Sequence, residues 1–182
     1  MSTKTKAKIE EEIKIPENVN VELSGSTIKV SGPLGNNELA FKDPRIVIQK
    51  ENDKIILKAK QQTRNNKRML MTISSHINNL IKGVTKHYIY KLKICSGHFP
   101  MSVSVSGYKV IIKNFFAEKI PRNAKILQNV NVSIDNEIIT VTGANKELVS
   151  QTAANIEQAC RITNKDRRIF MDGIYIISKN DE

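Results

Sequence analysis

Apolar and polar positions alternate in short runs along much of the chain, and Gly, Asn and Asp break the runs. Alternation with a period of two marks half-buried strands. Residues 19–23 and 27–31 read as a hairpin around Ser24-Gly25-Ser26, and residues 101–106 and 108–113 as a hairpin around Gly107. Residues 46–50 and 54–59 turn through Asn52-Asp53, and 130–134 and 137–142 through Asp135-Asn136. These turn residues tolerate positive φ.

The strand pattern occurs twice. Val21-Glu22-Leu23-Ser24-Gly25, followed by Ile28 and Val30, returns 82 residues later as Val103-Ser104-Val105-Ser106-Gly107, followed by Val110 and Ile112. Asp53-Lys54-Ile55-Ile56 returns as Asn136-Glu137-Ile138-Ile139. Each half then enters a helical period. Leu70, Ile73, Ile77, Leu80 and Ile81 form one stripe over about Arg64 to Lys82, with Gly83 as the stop. Leu148, Val149, Thr152, Ile156, Ala159 and Cys160 form the second, over about Asn145 to Ile162, with Arg161 in its last turn. A further strand follows each helix, Tyr88 to Ile94 and Gly173 to Ser178.

A sheet of four short strands cannot bury its apolar face alone, so each helix is expected to cover its own sheet. The fold class predicted is α+β: two similar tandem domains from an internal duplication, each a small, mostly antiparallel β-structure packed on one helix. The expected divisions are a flexible basic tail at 1–9, a domain at 10–84, a connecting strand at 85–95 and a second domain at 96–180. Glu10, Glu11 and Glu12 follow Lys4, Lys6 and Lys8 with cancelling signs and no periodicity, so this end reads as frayed.

Composition sharpens the picture through charge. The 182 residues hold 29 Lys and Arg against 18 Asp and Glu, a net charge of +11. Residues 54–117 hold twelve bases and no acid, while the other 118 residues hold 17 bases and 18 acids. The middle third therefore carries the whole excess. Such a surface suits phosphate; the plainer alternative is a solvated basic face without a partner. The first helix opens with Arg64, Lys67 and Arg68, the wrong sign for a helix N-terminus, at a cost of roughly a few tenths of a kcal/mol per charge. A polyanion would offset that cost.

Catalytic and metal chemistry find no support. Cys95-x-x-His98 is half of a zinc pair without a second half, and His76, His87 and His98 read as structural or surface residues. The basic stretch has no carboxylate from which to build an acid–base pair. Gly32-Pro33-Leu34-Gly35 sits between strands and reads as a tight turn rather than a nucleic-acid clamp. No apolar run approaches the ~18 residues of a membrane helix, and the N-terminus lacks the apolar region of a secretory leader. Two cysteines fit free thiols in a reducing compartment. With four Tyr, five Phe and no Trp, shape and phosphate contact with folded, double-stranded RNA suits the chain better than stacking on single strands.

The C-terminal run is more specific. Gln158, Ile162, Lys165 and Arg168, followed by Ile169-Phe170-Met171-Asp172-Gly173-Ile174-Tyr175, resembles the signature of the large-subunit ribosomal protein six family, archaeal and eukaryotic type, which eukaryotic naming calls the ninth. Ser74-Ser75-His76-Ile77-Asn78-Asn79-Leu80-Ile81-Lys82-Gly83-Val84-Thr85 is similar to the same family, as are Ile15-Pro16-Glu17-Asn18-Val19 and Glu147-Leu148-Val149-Ser150. The likeness runs from about residue 10 to 180. Where the family signature tends to end in two bases, Ser178-Lys179 supplies one.

The resemblance implies two duplicated α+β domains and a structural role in the cytosolic large ribosomal subunit. It implies partners in large-subunit rRNA and neighbouring ribosomal proteins, contact mainly through the C-terminal domain, and a place close to the translation-factor site. It implies no catalysis, no cofactor, no membrane and no small-molecule substrate. Charge and motif position together nominate the RNA contacts. Lys165, Arg167, Arg168 and Lys179 lie in the motif or at its edge, and Lys109 and Lys113 on the second domain's hairpin. Lys86, Lys91 and Lys93 lie on the joining strand, and Arg64, Lys67 and Arg68 open the first helix. Phe170 is expected in the core, and Asp172-Gly173 as a turn aiming the basic segment. The competing readings are a double-stranded-RNA binder outside the ribosome, an RNA-modifying enzyme, and a module for an acidic protein partner.

Overall fold

The computed structural model describes residues 10–41, 43–166 and 168–179. The chain divides into two compact units, the first ending at Lys86 and the second beginning at His87. Each has its own apolar core, one built around Ile28, Leu57, Leu70 and Ile77, the other around Leu92, Ile112, Ile139 and Ile156.

The first unit contains β1 (Glu10–Lys14), β2 (Asn20–Ser24), β3 (Thr27–Gly32), β4 (Gly35–Ala40), β5 (Ile46–Glu51), β6 (Lys54–Ala59) and α1 (Arg64–Thr85). Its strands form two antiparallel three-stranded sheets, ordered β1-β6-β5 and β2-β3-β4. Gly25 and Asn52 turn the hairpins at φ +61° and +43°. The expected tight turn between Gly32 and Gly35 joins β3 to β4. Thr63 caps α1, its hydroxyl accepting the Asn66 N–H at 3.2 Å.

The second unit contains β7 (Tyr88–Cys95), β8 (Ser102–Ser106), β9 (Lys109–Lys113), β10 (Arg122–Lys125), β11 (Asn131–Asp135), β12 (Ile138–Gly143), α2 (Lys146–Ala159) and β13 (Gly173–Lys179). A short 3₁₀ turn, Phe115–Ala117, separates β9 from β10. The sheets are ordered β10-β9-β8 and β11-β12-β7-β13, again antiparallel. Gly107 and Asn136 repeat the turns at φ +56° and +52°. The Asn145 side chain caps α2. No helix among the described residues is long and apolar enough to cross a membrane.

Several expectations change. Glu10–Lys14 is a strand paired with β6, not a frayed end; Ile13 is buried there, opposite Ile55. Residues 1–9 lie outside the described residues. The segment 85–95 is not a connector: α1 runs on to Thr85, and Tyr88–Cys95 pairs on both edges as an inner strand of the second unit's sheet. Its counterpart is β1, which pairs with β6 as β7 pairs with β12. Gly83 does not stop α1 but is buried within its last turn. That turn packs on β3, and packing prevails over the weak helix propensity of glycine. Helix α2 ends at Ala159, so Arg161 lies beyond it.

Candidate nucleic-acid interface

The sheet β10-β9-β8 puts Val110 and Ile112 of β9 and Ala124 of β10 inside, so the alternate residues form its other face. Pairing sets that face in rows. Ser106, Lys109 and Lys125 make one row; Ser104, Ile111 and Asn123 the next; Ser102 and Lys113 the last. All but Ile111 are exposed. Three lysines and three serines thus share a surface with no acid on those three strands.

The duplicate provides an internal control. On β2-β3-β4 the same rows read Ser24, Thr27, Ala40, then Glu22, Lys29, Glu38, then Asn20, Ser31, Asn36. There the single lysine lies between two glutamates. Between the copies, Glu22 has become Ser104 and Glu38 has become Asn123, while Thr27, Ala40 and Ser31 have become Lys109, Lys125 and Lys113. The fold is held and the charge of one face changes from −1 to +3. Lys109 and Lys125 stand directly opposite each other, a pairing that a sheet disfavours without a partner for both.

Lys125 escaped the sequence reading because Arg122-Asn123-Ala124-Lys125 has one apolar residue and no alternation. Its equivalence to Ala40 at the end of β4 emerges only from the strand register.

The C-terminal segment is held differently. The Lys165 ammonium lies 5.3 Å from the centre of the Phe116 ring and 5.2 Å from that of Phe170, so two aromatic faces fix an exposed cation. Arg168 is exposed and forms a forked pair with Asp166, Nη2 to Oδ2 at 2.9 Å and Nε to Oδ1 at 3.2 Å. That contact holds the Asp166 carboxyl below the ordinary range. Arg167 lies outside the described residues. Phe170 packs partly buried against the second core, as expected. Asp172 is not a turn residue: its side chain is buried and accepts the backbone N–H groups of Gly97 and His98. Lys179 ends β13 and is exposed.

Lys91 and Lys93 occupy the face of β7 away from α2; Lys91 is half-buried, and Lys93 is 4.0 Å from the Glu137 carboxylate. Lys86 caps the C-terminus of α1, its N–H bonded to the Lys82 carbonyl at 2.8 Å. Arg64, Lys67 and Arg68 are exposed on the first turns of α1, with no acid in the opening turn. The nominated residues are divided between the two units. Within the second they lie on a lysine face, a tethered segment and two strands of the other sheet, Lys91 and Lys93 on β7 and Lys179 on β13.

Folding also trims the linear charge map. Lys54 bonds Glu12 at 3.1 Å across β6 and β1, and Lys58 faces Glu10 in register. The excess at the start of the basic stretch is met by acids forty residues away. Among the described residues no group of three or more His, Cys, Asp and Glu side chains could hold a metal ion.

One family model, described as Ribosomal protein L6, matches the chain twice, over residues 15–87 and 99–173. The Large ribosomal subunit protein uL6 of Methanococcus vannielii is 48% identical over 175 residues, covering 95% of each chain. That of Staphylothermus marinus is 50% identical over 178 residues, covering 96% of each.

Proposed function

The chain belongs to the ribosomal protein L6 family, archaeal type, and from that premise we propose that it binds large-subunit rRNA mainly through its second unit. It is a structural protein of the large ribosomal subunit, serving translation, and not an enzyme. The observation that carries the proposal is the change of one sheet face between the two copies, from a lysine between two glutamates to three lysines with serines and no acid.

Ammonium and hydroxyl donors spread over a sheet suit the phosphate and sugar edge of a folded RNA. Such contacts fix position and do not read sequence. Lys165, steadied by two rings, and Arg168 extend the contact along the C-terminal segment. Lys179 ends β13, and Lys86, Lys91, Lys93, Arg64, Lys67 and Arg68 contribute screened charge. Neighbouring ribosomal proteins complete the surroundings. The resemblance of the C-terminal motif supports a place beside the translation-factor site, in the cytosolic large subunit.

Depletion and replacement test this reading. Large subunits assembled with Lys109→Gln/Lys113→Gln/Lys125→Gln in place of the wild-type chain should lose the protein on sucrose gradients in raised salt, whereas a Lys29→Gln chain should stay bound. Retention of the triple variant at wild-type level would overturn the assignment. A chain found in free double-stranded-RNA complexes rather than in large subunits would favour a role outside the ribosome.

A further inference from the structure

The lysine face ends at a tyrosine that the fold does not require. Tyr108 follows Gly107 in the two-residue turn between β8 and β9, and at 70% exposure it is the most exposed aromatic side chain among the described residues. The first unit builds the same turn with Gly25-Ser26. In both, the glycine has φ near +60°, at +56° and +61°. In both, the next residue's carbonyl accepts a backbone N–H from beyond the sheet's third strand: Ile126 to Tyr108 at 2.9 Å, and Phe41 to Ser26 at 2.8 Å. The backbone is thus secured identically with serine or tyrosine. The ring is an addition to the turn.

We propose that Tyr108 is a stacking platform for one unpaired RNA base, with Lys109 and Lys125 taking the phosphates beside it. The inference rests on the phosphate-contact reading of the adjoining face and names what that reading leaves open, a nucleotide-sized subsite. Ser106, Lys109 and Lys125 form the row next to the turn, so the residue that carries the ring directly adjoins the two lysines in register. Bases inside a duplex are stacked on both sides and offer no face to an exposed ring. The ligand is therefore a base at a bulge, a loop or a helix end, adjoining a duplex. Tyrosine suits this use because its flat face accepts any base and few rotamers are lost on binding.

The test is a titration of the full chain with two RNAs, a hairpin carrying one unpaired adenosine in its stem and the same stem fully paired. The wild type and Tyr108→Phe should prefer the bulged stem by about tenfold, the scale of one base–aromatic stack. Tyr108→Ser, which restores the residue of the other copy, should bind both stems alike, at the wild-type affinity for the paired one. No preference in the wild type, a preference retained in Tyr108→Ser, or an equal loss of both affinities in that variant would each overturn the proposal. The lysine variants separate the two readings in the same titration. If Lys109→Gln/Lys113→Gln/Lys125→Gln leaves paired-stem affinity unchanged, the phosphate face fails, while the bulge preference still judges Tyr108.

Discussion

Asp172 grips His98 from two directions: its buried carboxylate accepts the His98 backbone N–H at 3.0 Å and lies 3.4 Å from the ring Nδ1. The same carboxylate accepts the Gly97 N–H. The loop after β7 is thereby tied to the start of β13, where the C-terminal motif enters the sheet. The His98 ring in turn lies 5.1 Å from Phe170, one of the two rings that hold Lys165. A buried carboxylate thus fixes the base of the segment that carries the exposed cations.

Removing that carboxylate should loosen the motif. Burial pushes the Asp172 carboxyl up, but the His98 and Gly97 N–H groups and the imidazole outweigh it and hold the group below its ordinary value. The native state therefore holds this proton more weakly than the unfolded chain. The contribution to stability is complete above a pH of about 4 and is lost as pH falls through the depressed value. Asp172→Ala should cost about 2 kcal/mol at pH 7, because two part-buried N–H groups lose the charged acceptor they share. Urea unfolding at pH 7 and at acid pH measures both effects; an equal gap between wild type and variant at each pH contradicts this account.

The lysine face should trade stability for affinity. Lys109 and Lys125 are direct cross-strand neighbours of like charge. Lys125→Gln should therefore stabilise the free protein by roughly a few tenths of a kcal/mol while weakening RNA binding. The slope of log affinity against log salt should fall by about one unit for each phosphate contact removed, about three for the triple Gln variant. Lys29→Gln, on the matching face of the first unit, should leave that slope unchanged. An unchanged slope in the triple variant would mean that these lysines face solvent only.

What the sequence disclosed was local. The hairpins at Gly25, Asn52, Gly107 and Asn136 were legible because turn chemistry and alternation lie within a few residues of each other. Strand β4 was not, since Gly35-Asn36-Asn37-Glu38-Leu39-Ala40 buries only Asn37. Tyr88 to Ile94 read as a strand, but its partners in β12 and β13 come more than forty residues later, and periodicity does not reveal non-local pairing. The same limit applies to the site. Lys109 and Lys113 stood out by charge, whereas Lys125 acquires its meaning only from standing opposite Lys109. The acids that answer Lys54 and Lys58 are found by register, not by proximity in the chain.

Glycine marks a close approach between each helix and a strand. A Cβ on Gly32 would lie 2.7 Å from Val84 Cγ2 and 3.0 Å from the Val84 carbonyl oxygen. One on Gly143 would lie 2.9 Å from Val149 Cγ2 and 3.0 Å from the Asn129 carbonyl oxygen. Backbone on one side of each contact leaves little room to yield, so each Gly→Ala change should cost about 1–3 kcal/mol. The two cores are separate, so the effects should be too. Hydrogen exchange should rise across Arg64–Thr85 in Gly32→Ala and across Lys146–Ala159 in Gly143→Ala. Equal loss of protection in both helices from either change would show that the units unfold as one.

The end of α2 is closed by a side chain, and a thiol reports whether it stays closed. Arg122 Nη1 donates to the carbonyls of Ala159 and Arg161, each at 3.0 Å, while Nε bonds the Glu118 carboxylate at 2.8 Å. Its guanidinium lies 4.3 Å above the Phe115 ring. Between the two capped carbonyls stands Cys160, 4% exposed. Burial pushes its thiol up to about 11, with Arg122 opposing the shift. A folded-state value above the unfolded one gives a contribution that is whole below about pH 8.5 and is lost as pH rises towards the folded value. In the native protein at pH 8, a thiol reagent should therefore modify the half-exposed Cys95 first and reach Cys160 only through opening of the second unit. Arg122→Lys keeps the charge but cannot reach both carbonyls and the carboxylate with one ammonium. It should cost about 2 kcal/mol and speed Cys160 modification by the matching factor of about thirty, leaving Cys95 unchanged. Modification of Cys160 at the wild-type rate in that variant would show that Arg122 does not hold the helix end.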